Sequence, residues 1–213
     1  MKFILVFIAS LLLAAASFTA YHIVTTHPSE PITNIIKNVT KPAFSIINAP
    51  SLSVIGSIKE MSGEVKWQSR IATQSSEIKN PITLQQGEEI ETGETGSLTV
   101  EFPNEAVIRI MPKTQINFVQ TLPVNFVTSV VNGGATFTKT ANTPVSIRAM
   151  HLLIKQNSGD LSIGVDTENS LVNINILKGS VTIAYNDLNL ISHVTNIDAG
   201  KRITFNDSSR KFE

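Results

Sequence analysis

Cysteine is absent from all 213 residues. That excludes disulfides, thiolate zinc sites and cysteine nucleophiles. Net charge is absent too, because 17 Lys and Arg balance 17 Asp and Glu. A nucleic-acid binder would usually carry a basic stripe, so no nucleic acid is expected as a partner. Tryptophan and tyrosine are few: Trp67, Tyr21 and Tyr185 are scattered along the chain, where a stacking platform for sugars or single strands would want more. The local marks of common catalytic sites are missing as well. The chain holds no H-E-x-x-H, no G-x-S-x-G and no GxxxxGK[ST]. His22, His27, His151 and His193 form no close ligand pair, and the last two read as structural histidines. Asp160 and Asp166 lie near Gly159 and Gly164 without the spacing of a calcium loop. No catalytic, cofactor-binding or metal residue is therefore assigned, and neither a cofactor nor an enzymatic activity is expected. The residues that would bind a partner are left open.

What is present begins with a long apolar run, Phe3 to Val24, after Met1 and Lys2. No formally charged residue interrupts it, and about 20 apolar residues suffice to cross a bilayer as a helix. A lone Lys before an apolar stretch also fits a secretory signal, with Ala14-Ala15-Ala16 offering a cleavage site. The apolar character continues through Phe18, Ala20, Ile23 and Val24, which favours an uncleaved anchor. Residues 1–24 are thus expected to form one hydrophobic helix, a signal anchor or signal peptide. Either form places the rest outside the cytoplasm: single-pass at the cell membrane, or secreted or periplasmic after cleavage. Residues 25–53 read as a linker, punctuated by Pro28, Pro31, Pro42 and Pro50.

From Val54 the pattern changes to period two. Val65 and Trp67 alternate with Glu64, Lys66 and Gln68. Leu98, Val100 and Phe102 alternate with Ser97, Thr99 and Glu101. Val172, Ile174 and Ile176 enclose Asn173 and Asn175, and Ile203 and Phe205 flank Thr204. Successive side chains of a strand take opposite faces, so each segment has one buried and one wet face. Gly63, Gly93, Gly96, Asn104, Gly133-Gly134, Gly159, Gly179 and Gly200 separate the runs. The expectation is an all-β domain of many short strands over 54–207, followed by a tail at 208–213. Trp67 is expected to pack in the core.

Five segments in order carry a family likeness: GEVKW (Gly63–Trp67), LQQGEEIETG (Leu84–Gly93), FPNEAVIRIMPKTQINF (Phe102–Phe118), INILKGSV (Ile174–Val181) and IDAGKRITF (Ile197–Phe205). Together they resemble the FecR domain, the exported sensor domain of FecR-type envelope regulators. Each segment is a strand end plus a turn residue. The resemblance implies short strands in two layers, a sandwich-like or solenoid-like β roll. Two departures matter. Glu105 stands where the family turn has Gly, so Asn104 is expected to take the left-handed conformation. The chain has no Gly-Thr dipeptide, so the self-cleavage of some family members is not expected, and Gly56-Ser57, Gly96-Ser97 and Gly179-Ser180 read as turn chemistry. Only Met1 and Lys2 precede the apolar run, so the likeness is expected to cover the exported domain and not a cytoplasmic anti-sigma segment.

The acidic run QGEEIETGETGS, Gln86 to Ser97, raises the question of a carboxylate site. Glu88 and Glu89 are adjacent in a strand and point apart, which suits a poor acid/base couple. Ile90 is expected to face inward, with Glu89 and Glu91 on the wet face and Glu94 in the following turn. These readings lead to a non-catalytic FecR-domain protein of a bacterial envelope, binding or scaffolding at the outer face of the membrane. Its partner would be an envelope protein or cell-wall polymer. Two alternatives stand beside it: an accessory sensor in sigma/anti-sigma, TonB-type signalling, and a secreted carboxylate-dependent hydrolase.

Overall fold

Period-two segments bury the faces that their alternation assigns. Leu98, Val100 and Phe102 are buried while Ser97, Thr99 and Glu101 remain partly accessible. Val172, Ile174 and Ile176 behave alike. The computed structural model describes residues 53–140 and 144–213, all within one unit, Ser51–Glu213. The expected N-terminal helix and the linker up to residue 52 lie outside the described residues. Among those described, no helix is long and apolar enough to cross a membrane. Over the described residues the architecture is all-β, with seventeen strands.

The strands divide between two sheets. In neighbour order, the first holds β4 (Thr83–Leu84), β1 (Gly56–Ser62), β6 (Ser97–Phe102), β7 (Ala106–Ile110) and the C-terminal half of β9 (Asn125–Lys139). It continues with β12 (Asp160–Asp166), β13 (Leu171–Ile176), β16 (Arg202–Asn206) and β17 (Lys211–Phe212). The second sheet holds β3 (Ser76–Glu77), β2 (Val65–Gln68), β5 (Glu89–Thr92), β8 (Gln115–Leu122) and the N-terminal half of β9. It continues with β10 (Val145–Ala149), β11 (Leu152–Ser158), β14 (Ser180–Asn186) and β15 (Ser192–Asp198). Among the described residues every pairing is antiparallel except β9 with β10. Residues 208–213, read as a tail, hold β17, whose Phe212 packs against the core.

The sheets face each other. Phe102 of the first meets Phe118 and Phe126 of the second at ring-centroid distances of 5.1 and 4.9 Å. Towards the other side, Tyr185 of the second meets Phe205 and Phe212 of the first at 5.0 and 5.3 Å. Such tilted and edge contacts add about 0.5–1.5 kcal/mol to what burial alone contributes. The layers are those of a sandwich, yet the chain winds between them. It leaves β11 for β12 at Gly159, β13 for β14 at Gly179, and β15 for β16 at Gly200, and all three glycines have positive φ.

Gly133-Gly134 corrects the sequence reading. The pair reads as a break between strands, but β9 runs through it for 15 residues. Its first half pairs in the second sheet as far as Asn132, and its second half pairs in the first sheet from Gly133. The strand thus bends from one layer to the other. Thr114 secures the bend: its Oγ1 donates to Gly134 O at 3.0 Å and accepts from Gly134 N at 2.8 Å. Asn104 takes φ 60°, as expected of the residue standing in for the turn glycine.

The two ends of the stack differ. At one, the edges β3 and β4 are only two residues each, and the chain between them spans the sheets with Ile78 buried beneath it. At the other, β15 is seven residues long and exposed on both faces except at Ile197.

Candidate functional site

A cleft of about 720 Å³ opens at the end of the stack bounded by β3 and β4. It is built by β2, the loop from Ser69 to Ser75, β3, the crossing from Ile78 to Ile82, β4 and the turn from Gln85 to Glu88. The loop folds back because Ala72 N donates to Ser69 O at 3.0 Å and Gln68 Nε2 donates to Ala72 O at 2.9 Å. The crossing is tied down where Ile78 N donates to Val65 O at 2.8 Å. Trp67, Ile71, Ile78 and Ile82 give the walls their apolar character. Ile71 is 88% exposed at the rim, unusual for a large aliphatic side chain. Arg70, Lys79, Glu77 and Glu88 also line the cleft, so its charges balance.

Trp67 was expected in the core. It packs against the core from the edge, half-buried, and also forms part of the cleft wall. Its Nε1 is buried without a hydrogen-bond partner among the described residues. A buried N–H left unpaired costs about 1–3 kcal/mol, so the wall holds an unmet donor. Sequence reading missed the other cleft residues. Ser69 to Asn80 show no alternation, and only the apolar Ile71 within a polar loop could have marked them.

The acidic run disperses. Ile90 is buried, as expected. Glu88 turns inward and its Oε2 accepts from Gln85 N at 2.8 Å. Glu89 turns to the other face, where its Oε1 accepts from Gln115 Nε2 at 2.6 Å. Glu91 is exposed opposite Lys66. Glu94 sits in the turn against Lys113 Nζ at 2.8 Å, and that ammonium holds its carboxyl below the usual range. The four carboxylates share no centre. Among the described residues no set of three or more His, Asp and Glu comes together as a metal site.

His151 and His193 each meet one carboxylate at the surface. His151 Nδ1 lies 2.8 Å from Asp207 Oδ2, and His193 Nε2 lies 3.0 Å from Asp187 Oδ2. His193 also stacks on Tyr185, with centroids 5.1 Å apart and planes 21° apart. His22 and His27 lie outside the described residues. Of the Gly-Ser pairs, Gly56-Ser57 lies within β1, Gly96-Ser97 leads into β6 and Gly179-Ser180 forms the corner into β14.

Residues 88–182 match the family described as FecR protein. This FecR-like segment is less than half of the chain. It runs from the residue before β5 into β14, so the cleft loop and β15 fall outside it. No curated protein matches the chain. Two crystal structures of a putative anti-sigma factor from Parabacteroides distasonis ATCC 8503, at 2.50 and 1.65 Å, are similar to it in fold. Each gives a TM-score of 0.51, at 16% and 15% identity, over 59% of this chain and 57% of the solved one. The match therefore spans little more than half the length of that protein. At this identity the likeness is one of fold.

Proposed function

We propose that this FecR-domain chain is a non-catalytic component of a signalling regulator, and that the cleft between β3 and β4 receives an extended, uncharged polypeptide segment of an envelope partner. The FecR match and the fold shared with an anti-sigma factor support the regulatory class. The observation that carries the binding role is the cleft itself. Apolar walls with a few polar groups are the usual lining of a receiving site. Two cations and two carboxylates cancel there, which favours an occupant without net charge. The flanking sheet edges offer backbone groups to an extended chain. The apolar run over 3–24 supports a place at the outer face of a membrane.

Trp67 is the single tryptophan of the chain, so all tryptophan emission arises at the cleft wall. Titration of the full chain with blocked, uncharged β-forming hexapeptides should give a saturable change in that emission. Ile71→Glu should abolish it, and a soluble muropeptide should not produce it. If no hexapeptide of the panel changes the emission saturably, or Ile71→Glu leaves the change intact, the cleft is not the receiving site.

A further inference from the structure

We propose that β15 of one copy pairs antiparallel with β15 of a second copy, joining the second sheets of two molecules across a two-fold axis at Thr195. The reading is independent of the cleft.

The β14–β15 register fixes which backbone groups are free. Asp187 N donates to Ile191 O at 3.0 Å at the hairpin end, and Ala199 N donates to Gly179 O at 2.9 Å at the other. The register between them has no shift. In an antiparallel pair, successive residues direct their N–H and C=O alternately to one neighbour and the other. His193, Thr195 and Ile197 therefore bond to β14, while Ser192, Val194, Asn196 and Asp198 present theirs outward.

This edge lacks the devices that protect exposed strands. From Leu188 to Asp198 there is no proline, lysine or arginine, and no bulge interrupts the strand. The other sheet edges, β3, β4 and β17, are two residues each. Large apolar side chains gather around this edge instead: Leu190 is 81% exposed and Val194 69%.

The strand is complementary to itself. A register centred on Thr195 sets Ser192 against Asp198 and Val194 against Asn196, so all four outward residues of each copy are paired. Centring on Val194 or Asn196 leaves one of them without a partner in the strand. In the Thr195 register no like charges stand opposite: the Asp198 carboxylate meets the Ser192 hydroxyl, and Thr195 meets its own copy, a favourable cross-strand pair. Just beyond the strand, Gly200 adds no side chain that would obstruct a second copy, and nothing lies within 4 Å of its Cβ position. The formal net charge of zero removes long-range repulsion between copies.

The absence of cysteine makes the test direct. Thr195 residues facing each other at a non-hydrogen-bonded position would have Cα atoms about 4.5 Å apart, within the span a disulfide bridges. Full-length Thr195→Cys should cross-link under mild oxidation about tenfold or more faster than Lys155→Cys, an exposed control on β11 of the same sheet. Val194→Pro removes an outward N–H that no internal bond uses, and edge strands tolerate proline. Placed in the Thr195→Cys chain, it should bring cross-linking down to the control rate. Val194→Lys should do the same by charge repulsion, and serves if the proline variant loses its β-sheet circular dichroism. Equal rates for Thr195→Cys and Lys155→Cys, or no effect of a folded Val194 variant, overturn the proposal and leave the edge to a different polypeptide.

Discussion

Gly159 and Gly179 are each shaped by the other's turn. A Cβ on Gly159 would run into the Lys178 carbonyl, and a Cβ on Gly179 would run into the Ser158 carbonyl. Both residues have positive φ, 78° and 77°. The strand bonds around them close the corner, with Asp160 N donating to Lys178 O at 3.1 Å. Neither obstacle is a flexible side chain, so neither can swing aside. Alanine at either position should lower the stability by about 2 kcal/mol or more, from left-handed backbone strain plus the overlap. Gly164 is the control. Its Cβ position meets only Asn173 Cβ at 3.9 Å, and its φ is not positive. Gly164→Ala should be neutral or stabilise by about 0.5–1 kcal/mol, since glycine weakens a strand interior. Urea denaturation of the three variants measures the contrast.

Gly56 and Phe102 form a second pair, this time in the core. A Cβ on Gly56 would lie 2.7 Å from Phe102 Cε1 and Cζ, so the ring lies directly over the glycine. Phe102→Ala should cost about 3–5 kcal/mol, the range for emptying a buried phenylalanine site. It would lose the ring contacts to Phe118 and Phe126 at once. Gly56→Ala should destabilise the native chain through the clash but cost much less once Phe102 is alanine. A double-mutant cycle by chemical denaturation should therefore show strong non-additivity. Additive costs would mean that the ring does not rest on the glycine.

Much of this fold was legible because period two maps directly onto burial. The alternations at Leu98–Phe102 and Val172–Ile176 named their buried residues one by one, and Glu105 in place of the family's turn glycine pointed to Asn104 as the left-handed residue. What local pattern could not show was which strands meet. The register of β13 with β16, or the parallel pair of β9 with β10, depends on contacts distant in sequence. Gly133-Gly134 misled for the same reason. A glycine pair between apolar runs marks a turn or a bend equally well, and only the tertiary partners Thr114 and Val165 decide for the bend. The cleft was hidden differently. Its residues lie in a loop and in strands of two residues, too short to carry a period, and Trp67 fits a core face and an edge wall alike.

Thr114 holds the β9 bend through its hydroxyl, and the side chain is buried. The same oxygen accepts from Gly134 N and donates to Gly134 O, while Thr114 N donates to Thr92 Oγ1 at 2.9 Å. Thr114→Val keeps the shape and removes the oxygen. Gly134 N then loses its side-chain acceptor, at a cost of about 1–3 kcal/mol. Thr114→Ser restores the oxygen and should recover most of that loss. Thermal unfolding of both variants, with amide exchange at Gly134, tests whether the hydroxyl or only the volume matters.

Asp187 ties part of the acid limb of stability to one hairpin. Its carboxyl is held below the ordinary aspartate range, first by the hydrogen bond to His193 and then by the backbone amides of Ile191 and Asn189. A carboxyl depressed in the folded state binds fewer protons there than in the unfolded chain. Its contribution is therefore complete above the unfolded aspartate value, about 3.9, and is lost as pH falls through the lower folded value. His193→Ala removes the largest cause and leaves the two amides. The folded carboxyl should then titrate closer to the ordinary value, and less stability should be lost between neutral pH and strong acid. Carboxyl-detected NMR titration of Asp187 in the native chain and the variant reads the shift directly. If removing the imidazole leaves the titration unchanged, the loop amides alone hold the carboxylate.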